Sequence, residues 1–169
     1  LLLLIILLNT ENIYMNHEEL EQLIDIEFIN IEQTLSSIKE LFFIIDDNEP
    51  DKFQIAAMSK FISDVYNGIE NILKRICKYL NINLPSGGFY HTELLLMFSH
   101  LKEEECPVLF DNIIFNYFKG ILKFRHYVIH GYSFQIDWQM IKPSAIQIEP
   151  MVIKLKENVR VFLIKNKDV

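Results

Sequence analysis

Seven apolar residues between positions 24 and 45 recur at alternating intervals of four and three, and this spacing is the strongest constraint on the fold. They are Ile24, Phe28, Ile31, Leu35, Ile38, Phe42 and Ile45. Residues spaced in this way lie on one face of an α-helix, so the segment predicts a long amphipathic helix. Asn16 and Glu19 mark its start because they can cap the first turn, and Pro50 marks its end.

A second apolar stripe of the same kind follows after a short connection near Asp51. Its members are Met58, Ile62, Val65, Ile69, Ile72, Ile76 and Leu80. Two long helices joined by so short a connection pack side by side in opposite directions. The first 80 residues therefore predict an antiparallel pair of long helices.

Three more helical patterns follow a loop rich in proline and glycine at residues 81–88. They lie at about residues 91–100, 109–130 and 152–163. Gly131 is a natural C-terminal cap, so the fourth helix is expected to end at or just before it. Pro143 and Pro150 leave the start of the last helix open. No segment alternates with period two, so the fold class is all-α with four or five helices.

The length of 169 residues and a hydrophobic content of 50% are typical of one globular domain. We therefore expect residues 15–169 to form a single domain. Cys77 and Cys106 suit free thiols in a reducing cytosol, so a cytoplasmic location is expected. The apolar start, residues 1–14, is too short for a membrane-spanning helix and lacks the basic residue of a secretory signal. It is sequence upstream of a start at Met15, the beginning of an internal fragment, or a segment that packs on a neighbour.

The net charge of −7 does not exclude a nucleic-acid partner, because the charge is unevenly distributed. Residues 1–51 hold 12 acidic residues and one basic residue, whereas residues 52–169 hold 11 acidic and 15 basic ones. The basic side chains that binding to phosphate requires therefore belong to the second part of the chain.

One short segment contains most of the residues that could carry chemistry. The chain has no glycine-rich phosphate loop and no CxxC, HExxH or GxSxG motif. What remains is a cluster of Arg125, His126, Tyr127, His130 and Tyr132. An arginine can bind a phosphate and a histidine can move a proton near neutral pH. This combination suits cleavage of an RNA phosphodiester without a metal.

The spacing within this cluster leaves other interpretations open. On one ideal helix Arg125 and His130 point about 140° apart, so the helix end or a second copy of the chain must bring them together. His126 and His130 are four residues apart and could bind a metal. Alternatively, Arg125 pairs with an acid of another helix while the histidines and tyrosines only pack.

The order of several short motifs matches a known family. Arg125, His130 and Tyr132 fit an Arg-x4-His-x-Tyr signature. Further similar segments occur in the same order at residues 66–70, 73–76, 84–87, 91–95, 124–126 and 137–138. Over about residues 17–165 the chain resembles HEPN toxins of the HepT-like type, which are small helical ribonucleases encoded with a minimal nucleotidyltransferase antitoxin.

This resemblance implies an up-down helical bundle of the HEPN type that forms a homodimer with a composite cleft. Arg125 would bind and stabilise the phosphate, and His130 would transfer the proton. His126 would support the site. Tyr132 matches the tyrosine that some antitoxins modify with AMP. No cofactor and no metal are implied.

Two further polar residues, Glu70 and His91, could line the cleft. Glu70 could instead form a salt bridge with Lys74, four residues on, and His91 could be a surface residue at a helix start. Trp138 is expected to pack rather than to stack on a base.

The expected function is that of a metal-independent endoribonuclease toxin in a type II-like or type VII-like toxin–antitoxin system. It would act on RNA, with tRNA as one candidate, and leave a 2′,3′-cyclic phosphate. Its partners would be a second copy of the chain, RNA and a cognate nucleotidyltransferase antitoxin. No membrane partner is expected. The alternative is a non-catalytic helical module that binds a nucleotidyltransferase or RNA.

Overall fold

The described part of the chain is an assembly of five helices without a strand. The computed structural model describes residues 15–46, 48–100, 109–130 and 136–167. Its helices are α1 (His17–Ile45), α2 (Lys52–Tyr79), α3 (Tyr90–His100), α4 (Asn112–His130) and α5 (Trp138–Lys165). The all-α prediction is confirmed. The expectation for residues 1–14 and the predicted cap at Gly131 lie outside the described residues.

The first two helices begin where their capping residues predict. The Asn16 side chain accepts a hydrogen bond from the Glu19 N–H at 2.8 Å. The Asp51 side chain accepts from the N–H groups of Phe53 and Gln54, and the Gln54 side chain accepts in return from the Asp51 N–H. These bonds satisfy N–H groups that have no partner within the helix.

Helix α2 lies at the centre of the bundle and contacts each of the other four helices. Its apolar stripe is buried, as is that of α1, and the two helices run antiparallel as predicted. An ion pair between Arg75 and Glu27 and a close approach of Gly68 to Ile31 fix their relative position. Polar residues on another part of α2 are therefore held on a rigid support.

The last helix is continuous through both of its prolines. Helix α5 begins at Trp138, where the Asp137 side chain accepts a hydrogen bond from the Gln139 N–H. Pro143 and Pro150 both lie inside it. Each proline removes one backbone hydrogen bond. The helix persists because one face is buried against the bundle, through Ile141, Ala145, Ile148, Val152, Leu155, Val159 and Phe162.

Trp138 packs, as expected, at the start of this helix. Its side chain is buried, and its ring lies 5.9 Å from that of Phe42 on α1. Among the helices described, none is long and apolar enough to cross a membrane.

Two glycines in helices provide a stability test of the α1–α2 contact. A Cβ atom at Gly68 would lie 2.7 Å from Ile31 Cγ1, whereas one at Gly120 would meet nothing within 4 Å. Alanine gains about 1 kcal/mol of helix propensity over glycine at either position. Overpacking at Gly68 costs about 1–3 kcal/mol.

We therefore expect Gly120→Ala to raise the free energy of unfolding. The free energy of unfolding of Gly68→Ala should be about 1–3 kcal/mol lower than that of Gly120→Ala. Urea unfolding of the two variants measures this difference. Equal stabilisation by both would show that α1 does not approach α2 closely at Gly68.

Candidate active site

Arg125 is held at the surface of α2 by uncharged groups. Its Nε donates a hydrogen bond to the Asn67 side-chain oxygen at 3.2 Å. Its guanidinium carbon lies 5.8 Å from the centre of the Tyr66 ring, which is a cation–π distance. No carboxylate in the described ranges forms an ion pair with Arg125. Its positive charge is therefore oriented by these contacts without being neutralised by them.

His91, the second residue of α3, connects Arg125 to a buried acid. Its Nδ1 lies 2.5 Å from Glu70 Oε2, and its Nε2 lies 3.5 Å from Arg125 Nη1. A carboxylate only accepts hydrogen bonds and a guanidinium only donates them. The neutral ring satisfies both neighbours when Nδ1 carries the proton and donates to Glu70. Its Nε2 lone pair then faces Arg125.

The Glu70 carboxylate contacts both Lys74 and His91. Its side chain is buried, with 6% of the residue exposed, and Oε1 lies 2.6 Å from Lys74 Nζ. The salt bridge to Lys74 considered from the sequence is therefore present, and Glu70 reaches His91 as well. A buried carboxylate needs such partners because an unpaired charge is costly away from water. His91 is accordingly part of a network and not an isolated surface imidazole.

The electrostatic environment of this network is reflected in three pKa values. Burial alone lowers the pKa of Lys74, but the hydrogen bond and charge of Glu70 outweigh it and raise that pKa. Burial raises the pKa of Tyr90, and Glu70 adds to this effect while Lys74 opposes it. Burial, with a further contribution from Glu70, places the pKa of Tyr66 well above its usual range. Tyr66 therefore stays protonated and serves as a support for Arg125.

The structure brings together three of the six residues predicted for the site. Arg125, His91 and Glu70 form one chain of contacts. His130 is the final residue of α4, five residues beyond Arg125 on the same helix. The side chains of His126 and His130, and all of Tyr132, lie outside the described residues, so their roles stay predictions.

Sequence reasoning did not assign Asn67 or Tyr66 to the site. Both precede Glu70 on α2, and Lys74 follows it by one helical turn. Polar side chains with this spacing share one side of a helix. In the sequence, a polar patch within a helix that is otherwise rich in apolar residues is the feature that could have indicated this part of the site.

An open cleft adjoins the network on the side of α3 and α4. Its volume is about 570 Å³. The residues that line it are Gly88, Phe89, His91, Thr92, Lys119, Leu122 and Lys123. Because His91 belongs to both the cleft and the network, the two are continuous.

Metal binding and thiol chemistry are the two other kinds of chemistry to consider in the described part of the chain. It contains no group of three His, Cys, Asp or Glu residues arranged to hold a metal ion. The side chains of the possible ligand pair His126 and His130 lie outside it. Burial raises the pKa of Cys77 to about 11, so this thiol is a poor nucleophile at neutral pH.

The fold and the site define a class of small helical bundles that present an oriented arginine, supported by a histidine–glutamate pair, beside a basic cleft. A family model for HepT-like protein matches residues 57–165. The chain belongs to this family and is a HepT-like protein with a HEPN domain. The matched region includes every residue of the Arg125 network. Comparison with curated proteins and with solved structures finds no match.

Proposed function

We propose that this protein is a metal-independent endoribonuclease toxin that cleaves RNA with Arg125 and His130. The chain belongs to the HepT-like family, and the HEPN toxins that it resembles are small helical ribonucleases encoded with a nucleotidyltransferase antitoxin. The observation that carries the proposal is the guanidinium of Arg125, which is oriented by Asn67, Tyr66 and His91 without a carboxylate partner in the described ranges. An oriented cation at the edge of an open cleft is suited to a phosphate.

The reaction is an attack of the ribose 2′-OH on the adjacent phosphorus. The 2′-OH gives its proton to the His130 imidazole as the 2′-O–P bond forms, and the P–O5′ bond breaks as the 5′-oxygen receives a proton from a His130 imidazolium. His130 transfers the proton, and Arg125 stabilises the charge that develops on the phosphate oxygens. The products are a 2′,3′-cyclic phosphate and a 5′-hydroxyl. Because one helix separates Arg125 and His130 by about 140°, we propose that two copies of the chain form a composite cleft.

The chemistry of the cleaved ends tests this proposal. We expect the purified protein to cleave RNA in the presence of EDTA and to leave 2′,3′-cyclic phosphate ends, detectable by mass spectrometry. Cleavage that requires a divalent metal, or that leaves 3′-hydroxyl ends, would contradict the proposed mechanism. Absence of cleavage on any RNA, together with tight binding to a nucleotidyltransferase, would favour the non-catalytic module.

Glu70 and His91 are proposed as positioning residues for Arg125. Glu70→Ala removes a hydrogen bond to His91 that involves a charged group, worth about 1.5 kcal/mol, so we expect roughly a tenfold loss in kcat. Glu70→Gln should retain more activity, because its amide oxygen still accepts from Nδ1 of His91. Steady-state kinetics on a short RNA measure both variants.

The exposed Glu93 on the same helix as His91 provides a control, and Glu93→Ala should leave kcat unchanged. Equal losses in Glu70→Ala and Glu70→Gln would show that the hydrogen bond to His91 is not the important contact.

The proposed biological setting is a toxin–antitoxin pair of type II-like or type VII-like character in the cytoplasm. The partner would be a minimal nucleotidyltransferase that transfers AMP to Tyr132. Adding AMP would place a charged phosphate and a bulky base next to the Arg125 segment, and this would block RNA. Mass spectrometry of the chain produced together with the nucleotidyltransferase from the neighbouring gene tests this point.

A further inference from the structure

The cleft beside Arg125 combines features that the proposed cleavage step does not use. It lies between the loop that precedes α3 and the middle of α4, and its volume of about 570 Å³ falls in the usual range for small-molecule sites. Phe89 lines it from the loop before α3, and Lys119 and Lys123 line it from α4. An aromatic ring and two cations therefore share one cleft that is open to water.

Phe89 is not part of the apolar core. It is 77% exposed, although the apolar side chains of α3 that follow it, such as Leu94 and Phe98, are buried. A Cβ atom at the neighbouring Gly88 would meet nothing within 4 Å, so there is open space beside the ring. An exposed aromatic face of this kind is the platform on which unpaired nucleic-acid bases stack.

Lys119 and Lys123 are four residues apart on α4 and therefore lie on the same side of the helix. Both are exposed. No ion pair within the described ranges involves either of them. The Lys119 Nζ lies 5.5 Å from the centre of the Phe115 ring. Two lysines on one side of a helix can contact a phosphate backbone.

The cleft joins the proposed cleavage site through His91. This residue lines the cleft and also contacts Arg125 through its Nε2 atom. A strand whose scissile phosphate is bound at Arg125 would therefore pass His91 and continue into the cleft.

We propose that this cleft is the subsite for an unpaired nucleotide next to the scissile phosphate. The base stacks on Phe89, and Lys119 and Lys123 bind the backbone phosphate. The inference rests on the proposed ribonuclease function for the choice of RNA as the ligand. It goes further by assigning single-stranded RNA as the preferred form, because stacking on Phe89 requires a base that is free of its pair.

Binding of an RNA that cannot be cleaved tests this proposal apart from catalysis. The probe is a fluorescein-labelled single-stranded oligonucleotide with 2′-O-methyl groups throughout, because it lacks the attacking hydroxyl. We expect Phe89→Ala to weaken its binding by roughly 5- to 100-fold in fluorescence anisotropy. Phe89→Trp should restore the affinity, since tryptophan also offers a stacking surface. A fully paired duplex of the same sequence should bind more weakly and respond little to Phe89→Ala.

The contribution of the lysines is measured by salt dependence. The double variant Lys119→Ala with Lys123→Ala should reduce the slope of log K against log salt by about 1.4, which corresponds to two phosphate contacts with a single strand. An unchanged slope would overturn the phosphate-binding role of this pair.

Matched controls are available at the ends of the bundle. Phe53 is 73% exposed and lies fourteen residues, about 21 Å, from Asn67 along α2. Phe53→Ala should therefore leave binding unchanged, as should Lys52→Ala combined with Lys165→Ala. If Phe89→Ala binds the probe as tightly as Phe53→Ala does, the proposed nucleotide subsite is contradicted.

Failure of the subsite and failure of the ribonuclease proposal give different results. Cleavage of unmodified RNA with no effect of Phe89→Ala on affinity would overturn the subsite alone. Binding of the probe that depends on Phe89, without cleavage of unmodified RNA, would support the subsite and overturn the ribonuclease.

Discussion

Arg125→Ala is expected to lower RNA cleavage by roughly 10²- to 10³-fold, the usual loss when one donor to a transition-state oxyanion is removed. The guanidinium is placed by Asn67, Tyr66 and His91. His130→Ala should lower cleavage by roughly 10²- to 10⁴-fold, because it removes the group proposed to transfer the proton. Single-turnover cleavage of a short RNA in EDTA measures both losses.

Two controls separate these losses from a general effect on the protein. Arg160, an exposed arginine of α5, is a matched position, and Arg160→Ala should cleave at the normal rate. Arg125→Ala should remain folded and keep the oligomeric state of the unmodified protein in size-exclusion chromatography with light scattering. Cleavage that persists in His130→Ala would contradict the mechanism, and a loss in Arg160→Ala equal to that in Arg125→Ala would show that overall charge is responsible.

The largest expected effect on stability is that of Glu27→Leu, which leaves the guanidinium of Arg75 without its partner. Glu27 is 8% exposed, and its Oε1 lies 2.5 Å from Arg75 Nη2. Removing one member of a fully buried pair costs about 3–5 kcal/mol. Because 26% of the Arg75 side chain is exposed, we expect a smaller loss of about 2–3 kcal/mol. Urea unfolding and a decrease in Tm of roughly 5–10 °C report it.

The double variant Glu27→Leu with Arg75→Met tests the physical reason for this loss. Replacing both charges by apolar groups of similar size is often neutral, so stability should return to within about 1 kcal/mol of the starting protein. Asp64→Ala breaks the exposed pair with Lys60 and should cost less than about 1 kcal/mol. A loss in Glu27→Leu no larger than in Asp64→Ala would show that Arg75 reaches water without its partner.

Much of the fold could be predicted from local patterns. The apolar intervals of four and three between Ile24 and Ile45 define a helical stripe, and the structure buries it. The start of α2 follows from the capping residue Asp51. The start of α5 could not be predicted, because Pro143 and Pro150 oppose a helix locally. Burial of one face of α5 against α1, α2 and α4 overcomes this local preference.

Part of the candidate site could likewise be predicted from the sequence, and part of it depends on tertiary packing. Arg125 and His130 stand out in the sequence because they lie close together and carry suitable chemistry. Asn67 and Tyr66 do not, since they lie far from Arg125 along the chain and contact it only after α2 and α4 have packed. Glu70 was ambiguous from the sequence, because an acid four residues before a lysine can form a salt bridge on the same helix.

The sequence by itself determined the fold class, the two long helices and the Arg-x4-His-x-Tyr signature, because periodicity, capping and motif spacing are properties of neighbouring residues. The tertiary structure decided that Glu70 serves His91 as well as Lys74, and that His91 in turn faces Arg125. It also placed Phe89, Lys119 and Lys123 around one cleft. These contacts join residues on three different helices and the loop before α3, and only packing around the central helix α2 brings them within reach.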